Sequence, residues 1–135
     1  MNDSVFKGAY IIKNLLEMVD KVDLAGYWFG SDLFSEYYDT NHLIDGSGGL
    51  LTKDGICKPA YYGFQFFNRS GAYLLDHDNG SIITTNLHDS YFITCHNYKS
   101  PNFQYYRVEE NKIRIQDLPQ FFDQEPKQFC FLIHG

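Results

Sequence analysis

Two carboxylates four residues apart, Asp32 and Glu36, follow the single tryptophan of the chain, Trp28. Paired carboxylates can divide acid and base work between them. On a helix, a four-residue spacing would place both on one face. A general acid of this kind needs a pocket that desolvates it and raises its pKa. No apolar cluster beside Asp32 and Glu36 supplies such a pocket, so the pair does not read as an independent acid/base couple. The other candidate groups read as ordinary structure. Asp76-His77-Asp78 has the types of a metal or triad cluster but sits in a turn-like stretch. His42, His77, His88, His96 and His134 are scattered. Cys57, Cys95 and Cys130 are odd in number, far apart and without CxxC or Cys/His spacing, so neither a metal site nor a cofactor is expected.

Composition narrows the classes further. At 135 residues the chain suits one small domain and is too short for a whole (β/α)8 barrel of about 250 residues. Hydrophobic residues are 44% of the total and aromatics 18%, with 11 Tyr and 12 Phe, so a packed core is expected. Aromatics favour pleated surfaces, and their faces also stack on the apolar faces of sugar rings. The net charge of -6 comes from 17 acidic and 11 basic residues without a Lys/Arg cluster, so this chain is not expected to bind nucleic acid. Nothing approaches the roughly 18 apolar residues of a membrane span, and no secretory leader pattern opens the chain. Unpaired thiols suit a reducing cytoplasm. Asn68-Arg69-Ser70 and Asn79-Gly80-Ser81 match a glycosylation pattern that also arises by chance.

The elements that must hold these groups follow from periodicity. Asp3 or Ser4 can cap a first helix with Val5, Ala9, Ile12, Leu16 and Val19 on one face and a Glu17–Lys21 pair on another, ending near Asp20 to Val22. Val22 to Phe29 reads as a short strand buried on both faces. Residues 30–54 are irregular, with the turn cluster Asp45-Gly46-Ser47-Gly48-Gly49. Lys58-Pro59 opens a second helix with Ala60, Phe64 and Phe67 on one face and Gly71 as its left-handed terminator. Strands are expected at 81–85, 91–98, 104–108, 112–116 and 128–133, separated by turns at 78–80, 88–90 and 110–111.

The order Ala25-Gly-Tyr-Trp-Phe-Gly-Ser-Asp-Leu-Phe-Ser-Glu36, then Gly48-Gly-Leu-Leu-Thr-Lys-Asp-Gly-Ile56, then Lys58-Pro-Ala-Tyr-Tyr62 resembles the end of the catalytic barrel of glycoside hydrolase family 39, the β-xylosidases. Asn2 to Glu17 fits the same family, especially versions fused to the helix-turn-helix of AraC-type transcription regulators. The match is good to about Gly71 and continues weakly through Asn97-Tyr98-Lys99. The resemblance implies an α+β fragment. Residues 1–71 would be the last helix-strand-helix of a (β/α)8 TIM barrel, with Leu24 to Phe29 as its eighth strand. Residues 72–135 would be part of an antiparallel accessory β-sandwich.

In such barrels the active site lies at the C-terminal strand ends. A retaining glycosidase places an acid/base and a nucleophile about 5 Å apart. The resemblance puts the first after the fourth strand, in an Asn-Glu motif, and the second after the seventh, both ahead of Met1. The expectation is therefore a chain without either catalytic carboxylate. One edge of a sugar subsite remains: Glu36 as an acceptor for sugar hydroxyls, Trp28 as a wall, and Asp32 beside them. Set against these roles, Trp28 also suits a barrel core, Asp32 also suits a loop cap, and Glu36 also suits a solvated loop. The family has two adjacent acids where this chain has Ser35-Glu36, and His-Gly-Gly where it has Asp45-Gly46-Ser47. Three functions follow as expectations: part of a β-xylosidase-like hydrolase that binds xylose or xylo-oligosaccharides, the sugar-sensing end of an AraC-type regulator without turnover, or an interaction remnant. An eighth strand without neighbours leaves open edges, so self-association of the isolated chain is expected.

Overall fold

The structure, a computed structural model, describes residues 1–34, 44, 46–109 and 112–132. The chain divides into two compact units, Met1–His96 and Asn97–Gly135.

In the first unit, two helices lie together and a three-stranded antiparallel meander follows them. Helix α1 spans Val5–Met18 and α2 spans Pro59–Asn68. Ser4 holds the N-cap position of α1, but its hydroxyl donates to the Met1 carbonyl rather than capping the helix (2.7 Å). Pro59 starts α2 as expected, where its missing N–H costs nothing. The buried face of α1 is Gly8, Ile11, Ile12 and Leu16, rotated from the expected one; Val5 is 82% exposed. The rotation follows from two glycines. A Cβ on Gly8 would lie 2.9 Å from the Pro59 carbonyl oxygen, and one on Gly63 would lie 3.0 Å from the Gly8 oxygen. The backbones of α1 and α2 meet at these positions, so the glycine side of α1 faces inward. Glu17 pairs with Lys13 at 2.6 Å instead of with Lys21.

Strands β1 (Tyr73–His77), β2 (Ser81–Thr85) and β3 (Tyr91–Cys95) lie in the order β1-β2-β3. The β2–β3 register is unbroken from Ser81↔Cys95 to Thr85↔Tyr91. The β1–β2 register slips at Leu75, between Leu74↔Thr84 and Asp76↔Ile83. The 78–80 turn forms around Asp78, whose Oδ1 accepts from the Gly80 and Ser81 N–H groups at 2.7 and 2.6 Å. The next turn forms around Asn86, whose Oδ1 accepts from His88, Asp89 and Ser90. Central β2 is the buried strand, and Ile82 joins Ile12 and Leu16 in a core that Val19 and Phe67 complete. Its buried threonines are satisfied: Thr84 Oγ1 accepts from the Gly71 N–H (2.7 Å), and Thr85 Oγ1 donates to the Ser90 carbonyl (2.9 Å).

Gly71 is not the left-handed terminator expected. The positive-φ glycines are Gly46 and Gly55 among the described residues. Gly71 is needed for proximity: a Cβ there would sit 2.4 Å from the Thr85 carbonyl carbon and oxygen. Gly71→Ala must push backbone from backbone, and we expect it to cost about 1–3 kcal/mol, read as a lower denaturant midpoint with an unchanged slope.

The expected buried strand at 22–29 is absent. These residues pair in no sheet ladder, and Leu24 and Trp28 are 89% and 88% exposed. A strand buried on both faces requires neighbours on both edges, and among the described residues none of β1–β3 pairs with 22–29. In the second unit, 104–108 and 112–116 do not form strands either. Tyr105–Arg107 and Ile115–Phe121 are 3₁₀ turns, the latter holding Pro119. Local bonds win there: Asn102 Oδ1 accepts from the Gln104 N–H, and Arg114 pairs with Asp117 at 2.8 Å. Residues 128–132 join no ladder, and Ile133 lies outside the described residues. Among the described residues no helix is long and apolar enough to cross a membrane.

Candidate functional site

The segment before the first 3₁₀ turn (Asp32–Phe34) runs beside residues 48–52 as a short ribbon. Leu50 N–H donates to the Phe29 carbonyl (3.2 Å), Leu51 N–H to Gly30 (3.1 Å), and Asp32 N–H to Leu51 (2.9 Å). Ser31 and Leu51 form a parallel bridge, and Leu51 bridges to Cys57 on its other side. The Tyr27 hydroxyl donates to the Gly48 carbonyl at 2.7 Å. Gly49 allows the close approach: a Cβ there would lie 2.5 Å from the Asp32 nitrogen. The return from 52 to 56 turns at Gly55 (φ 83), with Thr52 N–H bonded to the Ile56 carbonyl.

One buried cation ties this ribbon to the helices. The Lys58 side chain is 3% exposed, and its Nζ lies 2.8 Å from Asp32 Oδ2 and 2.5 Å from Asp3 Oδ1. It also donates to the Ser47 carbonyl at 2.6 Å. Asp32 Oδ1 accepts from the Gly49 N–H (2.7 Å), and Asp3 Oδ2 from the Gly46 N–H (2.6 Å). Asn2 Nδ2 donates to the Gly46 carbonyl. Burial opposes the charge on Lys58, but its hydrogen bonds to Asp3 and Asp32 and their negative charges win, and its pKa stands above the ordinary lysine value.

The neighbours respond to the same charge. Lys7 lies over the Tyr10 and Tyr27 rings, 5.0 and 5.9 Å from their centroids. Burial, and then repulsion from Lys58, lower its pKa. Burial raises the pKa of Tyr27 against the pull of Lys58, so its hydroxyl stays a donor to Gly48.

Of the residues the sequence singles out, Trp28 stands on the ribbon with its indole edge-on to Phe29 (6.2 Å) and otherwise in the open. Asp32 is buried, and both of its oxygens are engaged. Glu36 lies outside the described residues. In the sequence Lys58 stands out only as the residue before the Pro59 that opens a helix. A signal for its role existed: the positive end of the helix dipole disfavours a lysine at the N-cap of α2 unless an anion faces it. Asp76-His77-Asp78 divides between strand and turn; His77 Nε2 lies 3.7 Å from Asp20 Oδ2. Among the described residues no group of three or more His, Cys, Asp or Glu could hold a metal ion.

The arrangement is a small α+β assembly that presents an aromatic ring on an anchored ribbon. It resembles the C-terminal region of the family 39 β-xylosidases. The chain is 38% identical over 84 residues to a β-xylosidase of Geobacillus stearothermophilus, covering 62% of this chain and 17% of that protein. The crystal structure of a monomeric β-xylosidase from Caulobacter crescentus CB15 superposes with a TM-score of 0.67 at 26% identity, over 75% of this chain and 20% of the other. An uncharacterized HTH-type transcriptional regulator of Staphylococcus aureus (strain COL) is 27% identical over 115 residues, 85% of this chain and 15% of the regulator. The chain thus spans about a sixth of the length of these curated relatives. No family model matches it.

Proposed function

We propose that this chain is the carbohydrate-contacting C-terminal portion of a β-xylosidase-like glycoside hydrolase, without the two catalytic carboxylates. The reading is supported by sequence and structure comparison both arriving at β-xylosidases. In it, residues 1–71 supply the last two helices of a TIM barrel with the ribbon segment between them, and residues 72–135 supply strands of an accessory β-sandwich. Trp28 forms a wall for a xylose or xylo-oligosaccharide ring, Glu36 accepts from sugar hydroxyls, and Asp32 holds the ribbon behind them. The site assignment rests on Trp28, whose indole stands on the anchored ribbon edge-on to Phe29, because aromatic faces of this kind stack on pyranose rings.

A second reading, the sugar-sensing end of an AraC-type regulator working in the cytoplasm without turnover, draws on the regulator match, which covers more of this chain than the xylosidase match does. Both readings share the same ligand chemistry. In either, copies of the isolated chain associate through apolar surface that a longer protein would cover.

The test is a titration of the 135-residue chain with xylobiose, followed by Trp28 fluorescence and amide shifts. Saturable change is expected in the wild type. Trp28→Ala and Glu36→Ala should each weaken binding by about tenfold, near 1.4 kcal/mol. Trp28→Ala should leave stability within about 0.5 kcal/mol because the ring is exposed. A folded wild-type chain that shows no saturable change defeats the carbohydrate reading.

A further inference from the structure

We propose that Lys58 is a positioning residue for the Trp28 platform, a buried cation that locks the ribbon presenting the indole. The inference rests on the carbohydrate reading above and adds to it a residue that touches no sugar. The geometry runs through described atoms only. Trp28 is flanked on both sides by residues fastened to 48–52: Tyr27 through Gly48, Phe29 through Leu50, Gly30 and Asp32 through Leu51. The ribbon has few bonds of its own, and an isolated two-stranded piece of this length is marginal in water. Lys58 closes it from one end. Its ammonium binds Asp32 on the first strand and the Ser47 carbonyl at the entry to the second, and the Asp32 carboxylate spans back to Gly49. Asp3, just before α1, binds the same ammonium and the Gly46 N–H, so the ribbon is also tied to the helix pair. The bonds to Asp32 and Ser47 are charge-assisted and directional, and Asp3 adds its charge at ion-pair distance. With Lys58 in place the Trp28 backbone is fixed before ligand arrives, which removes an ordering cost from binding.

The experiment compares wild type, Asp32→Asn and Lys58→Met in the full 135-residue chain. Asp32→Asn is the gentler change: it keeps the size and an oxygen for Gly49 and replaces the charged Oδ2 acceptor facing Lys58 with a neutral amide NH2. Two quantities are read, amide hydrogen exchange and the xylobiose dependence of Trp28 fluorescence. The proposal expects exchange at Asp32, Leu50 and Leu51 to accelerate in both variants by at least tenfold more than exchange at the β2 amides, which report the loss of global stability. It also expects xylobiose affinity to fall at least tenfold. If a folded variant keeps wild-type exchange at these three amides, or keeps wild-type xylobiose affinity, Lys58 does not position the platform. If the wild type itself fails to bind xylobiose, the carbohydrate reading fails, and the lock then stands or falls on the exchange rates alone. If Lys58→Met does not fold, Asp32→Asn decides.

Discussion

Lys58→Met is expected to lower the stability of the first unit by about 3–5 kcal/mol. Removing one partner of a buried ion pair strands the other. Here two carboxylates and the Ser47 carbonyl lose one ammonium together. Methionine matches the length of the lysine stem but satisfies none of them. Total stabilities run to about 5–15 kcal/mol, so the loss would show as a large drop in denaturant midpoint at constant slope. Pairing it with Asp32→Asn should cost less than the two single changes added, since both break one network.

The pH dependence has a definite sign. The folded-state pKa of Lys58 is raised, so its contribution is whole below the ordinary lysine value of about 10.4 and drains away as pH climbs through the higher folded value. Wild type should therefore approach the variant in stability above that range and stay well ahead of it at pH 7. A gap at pH 7 below about 1 kcal/mol would contradict a buried, functioning ion pair.

Leu16→Ala is the second large effect, at about 2–5 kcal/mol. Leu16 is 2% exposed and lies where Ile12, Ile82, Val19 and Phe67 converge. Truncation loses the transfer energy of the side chain and leaves a cavity, because the walls come from a helix and a strand that other contacts hold apart. Val5→Ala, one face of the same helix away, should change stability by no more than about 0.5 kcal/mol. Thermal melts of the two variants side by side check the assignment of the buried face. Similar losses would return that face to the Val5 side.

What the sequence disclosed follows the range of the interactions involved. Both helices were legible because their signals are local: Pro59 at the first position of α2, and apolar residues at helical spacing in α1. Strand β2, the first part of β3 (expected to Tyr98 but ending at Cys95) and the turns at 78–80 and 88–90 were legible for the same reason, since turn chemistry sits at both ends of β2. The face of α1 was misjudged because periodicity counts apolar residues, whereas the helix turned its glycine toward Pro59. β1 was missed because Tyr73-Leu74-Leu75 has no alternation, and its bulge breaks the period anyway.

The failures at 22–29, 104–108 and 112–116 share one cause. A strand is a relation between segments, and composition supplies only one side of it. Lys112-Ile-Arg-Ile-Gln alternates well, yet a local Arg114–Asp117 pair and Pro119 shape the region instead. At the site, Trp28 and Asp32 were visible as types. The Lys58 hub was not, because its partners Asp3 and Asp32 are 55 and 26 positions away.

The slip at Leu75 bears on how copies of this molecule can meet. Among the described strands, the meander has two outer edges, β1 and β3. An incoming strand needs a continuous row of donors and acceptors, and a bulge interrupts that row. On β1 the interruption sits mid-strand, with Asp76 and His77 just beyond it. β3 has no such slip along its five residues. Fibre growth requires two usable edges per molecule, whereas a molecule with one can only be matched once. Any recruitment through this sheet that used only its unbroken strand would stop at a pair related by a two-fold axis, with the bulge as the stop signal.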